Sequence, residues 1–495
     1  MNPFGSPEIL ILVAVVAPFI GALLIPLFHK RPNVRETVTL ATAAVLFLVV
    51  YCLLSPVLGG ARPEVSGFDV ATGLTIAFRV EPLGMLFALI ASALWIVNSI
   101  YSIGYMRAND EPRQSSYYVC FAVALGSTIG IAFAKNLFTL FLFYEVLTIS
   151  TYPLVTHKRS EEAMRAGRLY LVLLLGTSMV LFLPAILVTW VLAGTLDFTP
   201  GGVLAGKAGG PVIALLLALY VFGIGKAAVM PLHFWLPAAM VAPTPVSALL
   251  HAVAVVKAGV FTVVKVAVYV FGIDTLSALG QSTWLTLVAG ATVITASIVA
   301  LRQDNLKRRL AYSTVSQLSY IVLGVAILTP ISVVGAAMHL AAHAVSKITL
   351  FFAAGSLYTS AHLTEISQLD GVGRRMPWTM GAFAVGALAM IGVPPTAGFL
   401  GKWFLLTGAA QAANWIAVGV IVLSTVLNAA YFLPIVFRAF FRAPDATHGG
   451  YGYAHESGEA PWPIVLALTA TAVGALALFF FPDVPLTLAN SMLGR

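Results

Sequence analysis

Apolar runs of about 20 residues recur along the chain from Ile9 to Phe481, each separated from the next by a short polar or charged connection. A run of that length crosses the hydrocarbon core of a bilayer as a helix. Backbone groups in lipid need internal partners, which leaves helices or a closed barrel, and these runs lack the polar–apolar alternation of a barrel strand. The pattern predicts an all-α polytopic membrane protein. Its fourteen spans fall near 8–28, 35–55, 82–103, 115–134, 136–155, 168–194, 211–231, 245–271, 281–301, 310–329, 331–358, 379–405, 414–440 and 462–481. An even count places both termini on one side of the membrane.

The connections fix which side. Odd-numbered connections hold seventeen Lys and Arg, among them Lys30, Arg107, Arg113, Lys158, Arg165, Lys307, Arg308 and Arg438. Even connections and termini hold five: Arg62, Arg79, Lys135, Lys207 and Arg495. Basic residues mark the cytoplasmic side, so both termini are expected outside, in the periplasm of a bacterial inner membrane. The formal net charge of +8 is therefore a topology signal rather than a nucleic-acid footprint. The first run has no basic segment before it and is followed by Lys30 and Arg31, so it is read as a span and not as a signal peptide.

Composition removes other classes. Only 9% of the 495 residues are charged and 60% are hydrophobic, against about 25% charged in a soluble domain. Cys52 and Cys120 both lie in apolar runs, so no disulfide framework and no Cys/His metal cluster is expected. No dinucleotide or phosphate-binding loop is present, and no cofactor is expected.

Five basic residues remain, all within spans: Lys226, Lys257, Lys265, Lys347 and Lys402. Glu145 is the one acidic residue at mid-span. A charge at the bilayer centre costs at least about 3 kcal/mol, so such residues mark either an ion pathway or a structural ion pair. Lys265, near a helix end, could instead snorkel to the interface. His339, His343 and Lys347 follow at i, i+4 and i+8 and share one helix face, as a proton relay requires; a single such histidine would be read as a hydrogen-bonded structural group. His251 and Lys257 share the eighth span on different sides of it. Ser313, Ser316, Gln317 and Tyr320 line one face of the tenth span, either as a water file or as interhelical hydrogen bonds.

Prolines interrupt two spans. The seventh contains Pro231 and Pro237, and the twelfth reads IGVPPTAGFLGKWFLL with Pro394 and Pro395. Each break has a lysine beside it, Lys226 and Lys402, and paired interruptions in two halves point to a transport site. The organisation expected is a three-helix segment at 1–110, two inverted five-helix repeats at 111–275 and 276–440, and a C-terminal helix at 441–495. Helices 7 and 12 are the discontinuous ones.

The stretches YSIGYM (101–106), FYEVLTISTYPL (143–154), GIGKAAVMPLHFWLPAAM (223–240), PTPVSALLHAVAVVKAGVF (243–261), DNLKRRLAYSTVSQLSY (304–320), HLAAHAVSKITLFFAAGSL (339–357) and GVPPTAGFLGK (392–402) carry a family resemblance. They resemble the antiporter-like subunits of respiratory complex I, Mrp-type Na⁺/H⁺ antiporters and membrane-bound hydrogenases. The resemblance implies that Glu145 pairs with Lys226 and that Lys257, with His251 beside it, links two half-channels. It implies that His339, His343 and Lys347 form the central hydrophilic axis, and that Lys402 ends the second half. Length and Lys402 make the chain look most like the D-type subunit of Mrp antiporters. The expected role is a proton-translocating subunit of a multisubunit Na⁺ or K⁺/H⁺ antiporter, working beside other small hydrophobic subunits in a lipid membrane. The alternative is the ion pump of a complex I-like or hydrogenase-linked enzyme, and a third reading is a membrane scaffold.

Overall fold

A computed structural model describes residues 5–71, 73–443 and 458–494. Twelve continuous helices are long and apolar enough to span a membrane. In order they are Pro7–Phe28, Pro32–Leu58, Pro82–Ala108, Gln114–Phe133, Leu137–Val155 and Glu161–Ala193, then Thr244–Phe271, Thr283–Leu301, Leu306–Ile327, Pro330–Ala361, Trp415–Phe441 and Trp462–Phe480. The seventh and twelfth positions are held by broken elements built on the shorter helices Gly210–Gly223 and Pro377–Ile391. All fourteen expected spans are thus accounted for. Arg495 and the connection at 444–457 lie outside the described residues.

Local sequence sets the boundaries. Proline opens the spans at Pro7, Pro32, Pro82, Pro330 and Pro377, where its missing N–H would have no helical acceptor. Asn136, Ser160, Asn305 and Asn414 cap others, and Thr329 the span that Pro330 opens, by accepting a backbone N–H from the first turn. Gly392 ends Pro377–Ile391 at φ 89°, a left-handed value that suits a residue without a Cβ.

Burial sorts the helices into an inner and an outer set. The eighth, tenth and eleventh spans are almost wholly enclosed, whereas the first two and last two present apolar faces outward, with Leu23, Val426 and Val473 exposed. Lipid is the natural cover for such faces. The inner helices are the ones that carry Lys257, Gln317, His339, His343 and Lys347, all 0% exposed.

Two expectations change, and one connection gains structure the sequence did not suggest. The connection at 56–80 contains an antiparallel hairpin of β1 (Glu64–Ala71) and β2 (Leu74–Arg79). It is tied to the start of the fifth span, where Lys135 N–H donates to Ala77 O at 3.0 Å and Asn136 Nδ2 donates to Thr75 O at 2.9 Å. Lys265 does not snorkel. It is fully buried, donates to Ala134 O at 2.7 Å and sits 3.4 Å from the Glu81 carboxylate, which also pairs with Arg79. Glu81 stands at the residue before the third span and lies far from Lys265 in sequence, so spacing along one helix could not reveal the pair. Finally, the seventh span breaks at Ile224, seven residues ahead of the first proline.

Candidate functional site

The seventh-span break is built by glycines. A Cβ at Gly223 would strike the backbone of Phe182, one at Gly225 would strike Thr177, and one at Gly259 would strike the backbone of Lys226 and Ala227. The sixth and eighth spans therefore close directly on the turn Gly225–Ala227 that holds Lys226. Its freed N–H donates to Tyr144 OH at 3.2 Å, and Trp235 Nε1 donates to Gly225 O at 3.1 Å. The ammonium donates to Tyr144 O at 2.9 Å and Thr148 Oγ1 at 2.5 Å, and lies 3.2 Å from the Tyr144 ring centroid. That contact combines hydrogen bonds with a cation–π attraction worth about 2 kcal/mol when desolvated.

The expected pairing of Glu145 with Lys226 is looser than a contact. Both Glu145 carboxylate oxygens are buried without a hydrogen-bond partner, and no ion pair joins the two side chains among the described residues. Lys226 is nonetheless the charge that acts on Glu145. The lysine has turned to Tyr144 and Thr148, one residue before and three after the glutamate on the same helix.

Lys257 Nζ lies 2.5 Å from His343 Nδ1, joining the eighth span to the eleventh. The rings of His343 and His339 follow at 6.3 Å between centroids, and His339 Nε2 lies 2.9 Å from Gln317 Oε1 on the tenth span. Lys347 donates to Ser313 Oγ at 2.8 Å, and Tyr431 OH donates to the same oxygen at 3.2 Å. His251 stays apart: a π-turn and a kink at Ala254 separate it from Lys257, its ring lies 4.8 Å from Phe351, and neither nitrogen has a partner.

The row converges on the second break. Between Pro377–Ile391 and Ala397–Gln411 the carbonyls of Met390 and Ile391 lose their helical donors. Gln317 and Asn428 each donate to Met390 O at 3.4 Å, and Lys402 donates to Ile391 O at 2.8 Å. The Lys402 ammonium lies 4.9 Å from the Tyr320 ring, whose centroid is 5.4 Å from that of the tilted His339 ring. Gly401 packs on the His339 backbone, where a Cβ would come within 2.8 Å of Cα. Of the tenth-span polar face, Ser313 and Gln317 serve this row. Ser316 bonds Ser297 and Tyr320 bonds Ser424, so all four form interhelical hydrogen bonds.

A family model described as NADH:quinone oxidoreductase/Mrp antiporter, TM matches residues 134–428. The chain belongs to this family. The matched stretch runs from just before the Asn136 cap to Asn428 and contains every residue of the buried row. The N subunit of NADH-quinone oxidoreductase from Desulforudis audaxviator is 31% identical over 447 residues, with 88% of this chain and 86% of that one covered. The D-type subunit of the Na(+)/H(+) antiporter from Alkalihalophilus pseudofirmus is 24% identical, with 87% of each covered. A chain of the Mrp complex from Dietzia sp. DQ12-45-1b superimposes with a TM-score of 0.83 over 97% of this chain and 96% of its own, at 22% identity, and so shares the fold. The chain spans 61% of a further relative, Hydrogenase-4 component B of Escherichia coli.

Sequence reasoning missed Tyr144, Thr148, Asn428 and Tyr431. Asn428 was detectable as an amide in an otherwise apolar span. Tyr144 and Thr148 were not, since their role depends on a lysine about 80 residues away in sequence.

Proposed function

We propose that the chain is the proton-translocating subunit of a multisubunit Na⁺ or K⁺/H⁺ antiporter, of the D type found in Mrp complexes. It sits in a bacterial inner membrane with both termini outside and with small hydrophobic subunits as partners. The observation that carries the reading is the buried set itself: four enclosed lysines and two histidines, with Lys226 and Lys402 beside the two helix breaks and Lys257, His343, His339 and Lys347 on the inner helices. On this reading its two broken helices stand in equivalent places in two inverted five-helix halves, 111–275 and 276–440. A scaffold has no use for four enclosed ammonium groups, each of which adds an insertion cost.

In this reading Glu145 and Lys226 act as a gate with two arrangements. When Glu145 is charged, Lys226 is drawn to it; when Glu145 is protonated, Lys226 rests on Tyr144 and Thr148. The move changes the field on Lys257, which exchanges its proton with His343 over one short contact. His339, Gln317 and Lys347 carry the axis to Lys402. Unpartnered ring nitrogens on His251, His339 and His343 are places where internal water completes the path. Proton entry would drive Na⁺ or K⁺ out through this or a sister subunit.

The second reading, the pump of a redox-driven complex, is favoured by the 31% identity to the N subunit of the quinone oxidoreductase. Copurification separates the two. Small hydrophobic partners alone support antiport; flavin, iron–sulfur or nickel subunits in the purified complex would replace antiport with redox drive.

A further inference from the structure

The third span, Pro82–Ala108, stands outside both proposed five-helix halves, yet it packs against the eighth and eleventh spans. Two contacts set how it meets the eighth. Phe87 places its ring 4.9 Å from that of Phe261, and Tyr105 meets Thr244, so the two helices run antiparallel. Asn98 lies three turns from Phe87 and two from Tyr105, which puts it on the same stripe facing the eighth span. From the Tyr105–Thr244 contact, seven residues lead to Asn98 on one helix and seven to His251 on the other. The π-turn that carries His251, Leu249–Val253, packs directly on the third span.

Both side chains are enclosed and neither has a partner among the described residues. Asn98 is 0% exposed, with Oδ1 and Nδ2 both free of hydrogen bonds, and His251 is 0% exposed with Nδ1 and Nε2 likewise free. Four unsatisfied polar atoms thus lie at one level of two touching helices. Their neighbours there are aromatic. The His251 ring lies 4.8 Å from that of Phe351, and Tyr101 stacks on Phe352 at 3.9 Å while its hydroxyl donates to Phe352 O at 3.2 Å. A buried amide left unpaired destabilises a fold, whereas a leucine of similar size would not. Packing alone gives position 98 no reason to be asparagine.

We propose that Asn98 is the positioning residue of His251, its amide and the imidazole sharing one internal water. An amide both donates and accepts, so it can serve either ring tautomer and hold the one that the path needs. The proposal rests on the proton-translocating reading above. It gives His251 the partner that the row does not, and makes the histidine a proton-holding group beside the row. Lys347 and His343 on the eleventh span and Lys307 on the tenth are the titratable groups whose charge couples to it. The third span brings no charged residue between Pro82 and Met106, only Tyr101 and Tyr105. The N-terminal three-helix segment then contributes a side chain to the proton path and is not only a support.

The test uses the whole complex in inverted vesicles and follows pH-gradient collapse on cation addition. Asn98→Leu is expected to lower transport several-fold, while thermal unfolding of the purified complex stays at or above the wild-type temperature because the unpaired amide is gone. Wild-type transport in this variant overturns the proposal, as does a loss of transport that only tracks a loss of assembled complex. Asn98→Asp keeps the shape and sets a carboxylate beside the ring, which favours the ring's charged form. Its transport–pH profile should move to higher pH, and an unmoved profile overturns the proposal even where Asn98→Leu fails to assemble. Asn98→Leu combined with His251→Phe should transport no worse than His251→Phe alone, because Asn98 acts only through the ring; additive losses overturn the proposal. Lys257→Met is run in parallel: normal transport there sinks the relay reading itself, whereas its loss beside a normal Asn98→Leu sinks only the role of Asn98.

Discussion

Replacing Glu145 by glutamine separates a functional carboxylate from a structural one. Breaking a buried ion pair by removing one partner costs about 3–5 kcal/mol, because the other charge is left uncompensated. Here Lys226 is held by Tyr144 O, Thr148 Oγ1 and the Tyr144 ring, none of which involves Glu145. The Glu145 oxygens accept no hydrogen bond that glutamine would forfeit. The substitution keeps the side chain's shape, so the expected loss of stability is within about 1 kcal/mol. Transport should nevertheless fall on the order of 10²-fold, the usual contribution of a positioned proton-transfer group. Thermal unfolding of the purified complex reads the first quantity, and pH-gradient collapse on cation addition in inverted vesicles reads the second. A variant that keeps more than half of its transport refutes the reasoning. So does a stability loss of about 3 kcal/mol with transport falling only as complex is lost. The double variant Glu145→Gln/Lys226→Met adds a check: recovered transport there makes the two residues a structural pair.

Lys402→Arg keeps the charge but not the ability to release a proton, since a guanidinium is effectively never deprotonated; the complex should assemble and fail in proton-coupled transport, and near-normal transport would leave Lys402 as a fixed charge only. Lys265→Met unpairs Ala134 O and takes one of two cations from Glu81, so thermal unfolding should show a loss of roughly 2–4 kcal/mol while the assembled fraction still transports; intact stability with abolished transport would move Lys265 into the path. His157 is held by burial at about 4 against an ordinary 6.5, so the unfolded chain binds its proton first as the pH falls. Its share of stability is complete above about pH 6.5 and is lost toward pH 4, by about 3 kcal/mol in all. His157→Gln should flatten that part of the acid-side unfolding profile, and an unchanged profile would contradict the assignment.

What was legible in the sequence had local causes. Twenty-residue apolar runs define spans whatever they pack against, and proline and asparagine mark where many of them start. The stripe of His339, His343 and Lys347 was visible because one helix carries all three. Contacts between distant segments were not visible. Lys265 looked like a lysine near a helix end because its partner Glu81 stands just before another helix. The rest state of Lys226 was hidden for the same reason: aromatic and hydroxyl partners are common in apolar spans and announce nothing until the fold brings a lysine to them. The break in the seventh span was read from its prolines, but the glycines at 223 and 225 set its position, because neighbouring backbones close in where a Cβ would not fit. The hairpin at 64–79 escaped notice because its strands are short and mostly exposed, with little apolar periodicity to read.

The central claim is that protons cross through the buried row, and Lys347 tests it most directly. It is fully enclosed, lies one helical turn beyond His343, reaches the second break through Ser313, Tyr431 and Asn428, and is held by one replaceable hydrogen bond to Ser313. The measurement is proton movement by the reconstituted whole complex, driven by an imposed cation gradient and followed with an internal pH dye, for wild type and Lys347→Met at matched assembly. The account predicts a cation-dependent pH change in the wild type and none above the leak in the variant. A Lys347→Met complex that moves protons at the wild-type rate would contradict it.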